Sequence, residues 1–161
     1  MKRIIRAVVM ALLLAPGMLW AEDFDAGLNA LNAGEYETAY EIWRHMAEQG
    51  HASSLQMIGL MYREGIGVAQ DYAEAARWYS AAAEQGNHWA QFTLGLMYAY
   101  GKGVIQDYST AHMWFNIAAS QGNSNAVHNR DVIAEALPPE AIAAAQSRAR
   151  ICIESDYQDC D

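Results

Sequence analysis

The string Glu48-Gln49-Gly50 returns as Glu84-Gln85-Gly86 and again, with serine for glutamate, as Ser120-Gln121-Gly122, at a spacing of 36 residues both times. Laid over one another without a gap, residues 51–86 and 87–122 share 16 of 36 positions. These include Gly59-Leu60-Met61-Tyr62 with Gly95-Leu96-Met97-Tyr98 and Gln70-Asp71-Tyr72 with Gln106-Asp107-Tyr108. A repeat that keeps register over its whole length confines the chain to a stacked array, because one unit cannot bury its apolar face alone.

Each unit reads as a pair of helices. Residues 53–64 and 89–100 carry apolar side chains at helical spacing, as do residues 72–84 and 108–120, where Tyr72, Ala75, Trp78, Tyr79, Ala82 and Ala83 mark one face. Gly59 and Gly95 fall inside these patterns at a cost of about 0.8–1 kcal/mol relative to alanine, which predicts close helix contact there. Gly65-Ile66-Gly67-Val68 and Gly101-Lys102-Gly103-Val104 separate the helices. They lack the third glycine and the Lys-Ser/Thr of a phosphate loop, and glycines that end a helix at positive φ account for them. Asp71 and Asp107 then stand where a carboxylate caps the second helix. Trp78 and Trp114 share one repeat position, and Trp43 aligns with Tyr79 and Phe115; both sets read as inter-helix core.

The ends depart from the pattern. In a first unit over 24–50, Gly27-Leu28 and Tyr36 match their counterparts but the Gly-x-Gly-Val stretch is missing. At the other end, residues 123–136 and an alanine-rich segment from Pro138-Pro139 to Ile153 read as a capping pair over 123–153, followed by an acidic tail over 154–161.

Ahead of the repeats, Lys2, Arg3 and Arg6 precede an apolar run from Ala7 to Ala15. Pro16-Gly17 interrupts it, and Met18-Leu19-Trp20-Ala21 leads into Glu22-Asp23. This is the order of a secretory signal peptide over 1–21. The alternative, an uncleaved anchor, needs about 20 apolar residues, and Ala7 to Ala21 offers 15 with a break. The expectation is an exported protein, periplasmic or secreted, with no stable membrane insertion after cleavage. From residue 22 on, seven basic residues face 19 acidic ones, a balance that repels phosphate backbones and argues against nucleic-acid partners. Export would place Cys152 and Cys160, the two cysteines of the chain, in an oxidising compartment, where one intramolecular disulfide is available to them.

The pattern Leu-Gly-x-x-Tyr, Gly-x-Gly-Val, Asp-Tyr, Ala-x-x-Trp-Tyr/Phe, Ala-Ala, Gln-Gly resembles the Sel-one-like repeat, a cousin of the tetratricopeptide repeat. Asn129-Arg130-Asp131 and Ala145-Gln146 are similar to the helices that often follow such repeats. The resemblance implies an all-α fold, a right-handed α-solenoid, and an interaction or adaptor role with a protein or peptide partner. In the tetratricopeptide cousin the first helices present partner-binding residues on a concave face. Carried over by position, these are Ser53, Gln56, Leu60, Arg63 and Glu64, then Trp89, Phe92, Leu96, Ala99 and Tyr100, then Asn125, His128, Val132 and Glu135. Trp89, Phe92 and Tyr100 would form an aromatic patch flanked by Arg63 and His128, with Gln56 beside it. Their counterparts Ser53, Gln56 and Glu64 are not aromatic, so the architecture does not demand the rings, although packing of Trp89 and Phe92 against a neighbouring unit is the equal alternative. Some bacterial members are associated with β-lactam binding or hydrolysis, which makes a cell-wall or β-lactam-related binding protein or hydrolase the second functional reading.

No catalytic or metal pattern supports that second reading from the residues. Ser-x-x-Lys, His-Glu-x-x-His, Gly-x-Ser-x-Gly and Cys-x-x-Cys are all missing, and His45, His51, His88, His112 and His128 show no ligand spacing. The sequence therefore predicts no enzyme and no cofactor.

Overall fold

The structure is a computed structural model that describes residues 16–160, with side chains from residue 23. The described residues form eight helices and no strand: α1 (Pro16–Asn32), α2 (Tyr36–Glu48), α3 (Ala52–Glu64), α4 (Tyr72–Glu84), α5 (His88–Tyr100), α6 (Tyr108–Ser120), α7 (Ser124–Ala134) and α8 (Pro139–Glu154). Each helix from α1 to α6 packs on the next one in the chain, which makes an all-α solenoid.

The caps explain where the helices begin and stop. Asp71 accepts from the amides of Ala73 and Glu74, and Asp107 from those of Ser109 and Thr110, so both carboxylates start the second helix of their repeat. Asn87 and Asn123 cap α5 and α7, and the imidazole Nδ1 of His51 does the same for α3 by accepting from the Ser54 amide. Gly65 and Gly101 end α3 and α5 at φ +71° and +64°, the left-handed cap expected of them. Gln70 and Gln106 then donate from Nε2 to the carbonyls of Arg63 and Ala99, both at 2.8 Å. Two carbonyls of the last helical turn are thus satisfied by the same device.

Inside each pair a glycine meets a ring. A Cβ on Gly59 would stand 3.0 Å from Tyr79 and one on Gly95 would stand 2.5 Å from Phe115, while Gly27 lies against the Trp43 indole. Trp43, Tyr79 and Phe115 are fully buried. The buried indole N–H of Trp43 donates to the Phe24 carbonyl at 3.3 Å, so it is not left without a partner. Trp114 is buried and Trp78 half-buried. These are the core roles expected of them.

The ends differ from the reading of the sequence in two respects. The charged and apolar leader residues 1–15 lie outside the described residues, but α1 starts at Pro16 and runs unbroken through Ala21. The expected boundary at residue 21 is therefore not a structural one: proline opens the helix in its first turn, where its missing N–H is harmless. Residues 123–153 do form two helices, yet α8 does not close a pair with α7. It lies along α6, to which it presents the small buried face Ala145, Ala149 and Cys152.

Cys152 and Cys160 are joined, with their Cα atoms 4.4 Å apart. The bridge folds the tail back as expected and carries it further than the helix end. Tyr157 covers Gly86, and Gln158 reaches the Glu84 carbonyl at 3.5 Å. Tyr157 and Gln158 thus dock the tail on the C-terminal end of α4.

The glycine–ring contacts give an ordered prediction. Gly59→Ala should change stability by less than about 1 kcal/mol, because the gain in helix propensity offsets a small movement of Tyr79. Gly95→Ala should lower it by about 1–3 kcal/mol, because Phe115 has no room to move in a buried cluster. Thermal melts of the two variants against the parent check the order.

Candidate functional site

The outward stripe of α5 follows from its register. Ala90, Gln91, Leu94, Gly95 and Met97 point into the array, which leaves Trp89, Phe92, Thr93, Leu96 and Tyr100 at helical spacing on the opposite side. Trp89 is 51% exposed and Tyr100 68% exposed. Phe92 is half-buried and turns its ring toward Phe115, at a centroid distance of 5.8 Å. Of the two aromatics left open between groove and packing, Phe92 contacts the core and Trp89 stands out from it beside the His88 ring.

Two clefts flank Tyr100. The larger, about 350 Å³, lies between α3 and α5 and is lined by Arg63, Glu64, Tyr72, Leu96, Met97 and Lys102, with Thr93 and Tyr100 at its edge. The smaller, about 220 Å³, lies between α5, α6 and α7; Tyr108, Val132, Ile133 and Ala136 give it a largely apolar floor, with Asn129 as its polar side chain. Of the residues expected in a groove, Arg63, Glu64, Leu96 and Tyr100 meet in the larger cleft. Gln56, half-buried on α3, Trp89, Phe92 and the exposed His128 on α7 do not line it. The positions carried over from the tetratricopeptide cousin do not include Lys102 or Tyr72, which line the cleft as well. Lys102 carries a signal that could have found it: it is the one lysine after residue 21, and it replaces Ile66 of the preceding repeat.

Charge in the larger cleft is fixed by its neighbours. The Arg63 guanidinium pairs with Glu64 at 2.7 Å and lies 6.0 Å from the Tyr79 ring. The Lys102 ammonium sits 5.4 Å from the Tyr72 ring centre. Burial pushes the Tyr79 hydroxyl up to about 12, so it stays neutral. On the opposite side of the array, partial burial acts to raise the Asp107 carboxyl, but the Thr110 hydroxyl, the Thr110 and Ser109 amides and Arg148 hold it below its ordinary value. No group of three or more His, Cys, Asp or Glu among the described residues is arranged to hold a metal ion. The arrangement offers two side-chain pockets, one with a lysine and one lined mainly by apolar residues.

An array of glycine-locked helix pairs with exposed aromatic side chains on one helix row defines a repeat solenoid. Residues 52–87 and 90–123 match the Sel1 repeat family, so the chain carries two Sel1 repeats. It is similar to the crystal structure of c5321, a protective antigen of uropathogenic Escherichia coli strains with an SLR fold. That match has a TM-score of 0.80 and 29% identity, and it covers 86% of this chain and 31% of the other. A Sel1 repeat protein from Oxalobacter formigenes matches with a TM-score of 0.61 and 38% identity, over 64% of this chain and 42% of the other. Exopolysaccharide production negative regulators of Rhizobium leguminosarum bv. viciae and Rhizobium meliloti are 43% and 40% identical over 57 residues, 35% of this chain in each case. The chain covers 21% of the length of each regulator.

Two histidines of the array give it a pH dependence. Desolvation lowers the pKa of His51, the α3 cap; desolvation, and then the Arg130 charge, lower that of the buried His112, whose Nδ1 lies 2.9 Å from Asn116 Nδ2. The unfolded chain therefore binds protons that the folded one refuses, so stability is full above the ordinary value of about 6.5 and falls as the pH drops through it. Melts between pH 7.5 and 5.5 should show the midpoint falling, and His112→Gln should flatten part of that fall.

Proposed function

We propose that this protein is an exported, non-enzymatic adaptor that binds a protein or peptide partner along the row formed by α3, α5 and α7. The observation that carries the proposal is the exposure of Trp89 and Tyr100 on one stripe of α5, where the preceding repeat has Ser53 and Glu64. A monomeric protein gains nothing for its core from two large rings in water, and exposed aromatics beside an arginine are common anchors at interfaces. Similarity to Sel1-repeat proteins supports a role in protein–protein contact. The two regulators share only a short segment with this chain, and a regulatory adaptor is in keeping with their names.

Export is supported by the signal-like leader and by the Cys152–Cys160 bridge, which persists in oxidising compartments. No helix among the described residues is long and apolar enough to cross a membrane. Removal of residues 1–21 would leave Glu22–Asn32 of α1, and with it Phe24, Gly27, Leu28, Ala30 and Leu31, which contact the array.

Affinity capture from the native envelope tests the binding role. Trp89→Ala with Tyr100→Ala should abolish recovery of the partner while the thermal midpoint stays within about 2 °C of the parent, since neither ring is buried. An unchanged capture would remove α5 as the binding helix. Phe92→Ala should instead lower the midpoint, because Phe92 packs on Phe115. Export is read separately: protein from its native compartment should begin at Glu22 by mass spectrometry and carry no iodoacetamide-reactive cysteine. Two alkylated cysteines would place it in a reducing compartment.

A further inference from the structure

Positive charge is scarce in this chain and nearly all of it is spent at home. Of the six arginines after residue 21, five lie within 4.0 Å of a carboxylate: Arg44 with Glu48, Arg63 with Glu64, Arg77 with Glu74, Arg130 with Asp131 and Arg150 with Glu154. The sixth, Arg148, approaches the Thr110 hydroxyl at 3.4 Å. Lys102 forms no ion pair among the described residues; its ammonium is positioned over Tyr72 at the mouth of the larger cleft. With Glu64 answered by Arg63, that cleft carries a net charge of one positive, on a protein where acidic residues outnumber basic ones by more than two to one after residue 21. The cleft beyond Tyr100 has Tyr108, Val132, Ile133 and Ala136, one polar side chain in Asn129, and no charged lining residue.

Taking the binding role proposed above as given, we infer that the row recognises an extended segment carrying a carboxylate for Lys102 and a large apolar side chain for the cleft beyond Tyr100. The ring of Tyr100 would pack against the backbone between them. Directly packed helices lie roughly 8–10 Å apart; α3, α5 and α7 touch one another only weakly, so the two clefts are separated by at least that distance. With an extended chain advancing about 3.3–3.6 Å per residue, the two recognised groups are about three or more residues apart. A basic ligand is disfavoured at Lys102, and a purely apolar one leaves that ammonium unused. The carboxylate is supplied either by an internal Asp or Glu or by a chain terminus.

A random peptide library displayed on phage, panned on the disulfide-intact chain from residue 22, tests the assignment. Enriched peptides should carry an acidic residue and a large apolar one at a constant spacing of about three or more positions. A synthetic copy of the leading peptide should bind at least tenfold more weakly to Lys102→Glu and to Tyr100→Ala than to the parent, with thermal midpoints unchanged. Lys102→Gln, which keeps the stem over Tyr72, should show most of the same loss. Amidating the peptide weakens binding if the terminus supplies the carboxylate, and leaves it unchanged if a side chain does. Failure to enrich any sequence, enrichment of basic or uncharged peptides, or a loss under threefold in Lys102→Glu overturns the inference. If binding survives Lys102→Glu but is lost in Tyr100→Ala, the groove stands and its charge preference falls; if it survives both, the groove falls too.

Discussion

The contact on which this array depends is a glycine in one helix laid against an aromatic ring in the next. Gly27 meets Trp43, Gly59 meets Tyr79 and Gly95 meets Phe115, and the absence of a Cβ at these positions lets the helices close on the ring. Continuing the 36-residue step from Gly95 and Phe115 arrives at Asp131 and Ile151. Both are exposed, and Asp131 pairs with Arg130 at the surface. A carboxylate cannot be pressed into a helix contact without losing its water, so the fourth pair has no lock. This accounts for α8 leaving α7 and lying on α6 instead, where Ala145, Ala149 and Cys152 present a face small enough for close approach.

The glycine loops do a second task that positive φ alone does not explain. A Cβ at Gly67 would stand 2.9 Å from Tyr36, and one at Gly103 would collide with the Tyr72 carbonyl, so each loop is pressed onto the start of the second helix of the preceding unit. Stacking in one dimension makes such nearest-neighbour contacts the source of cooperativity between repeats. It also places residue 102, which lies between the two glycines, over the Tyr72 ring. The larger cleft is thus a product of the same contact that joins two repeats, with its cation delivered by a loop and its walls by helices.

Most of the fold could be read from the chain because the determining signals are local or periodic. Asp71 and Asp107 announce helix starts by capping chemistry, Gly65 and Gly101 announce helix ends, and the recurrence of Gly59 at 95 announces a packing site before any partner is known. The path of α8 was less legible: an alanine-rich amphipathic helix fits several faces, and only the position of Asp131 in the 36-residue register excludes α7. The site was legible in part. Repeat equivalence singles out Trp89 and Tyr100 as departures, and both are exposed. Phe92 is a departure of the same kind but faces Phe115, because one helical stripe is wider than one side chain and its edge touches the core. Lys102 escaped because the positions carried over from the tetratricopeptide cousin lie on helices, whereas its place in the cleft depends on a loop.

The end of the array shows how a missing internal contact is replaced by a covalent one. With no glycine–ring pair to hold α8, the helix depends on small side chains, which bury less apolar area than the rings do in the earlier pairs. The Cys152–Cys160 bridge compensates on the far side: it closes a short loop that sets Tyr157 on Gly86 and Gln158 on the end of α4, so that α8 is held through its tail to a helix two units before it. Asp156 and Tyr157 adopt φ of +55° and +64° to make this turn, a conformation that disfavours ordinary side chains and is kept here by the closed loop. The same tail covers a polar nook of about 160 Å³ beside Trp114 and Arg148, sealing the open edge of the last repeat. Closure by a bridge suits an oxidising environment and would be lost in a reducing one, which links the geometry of the final repeat to the compartment in which the chain can complete its fold.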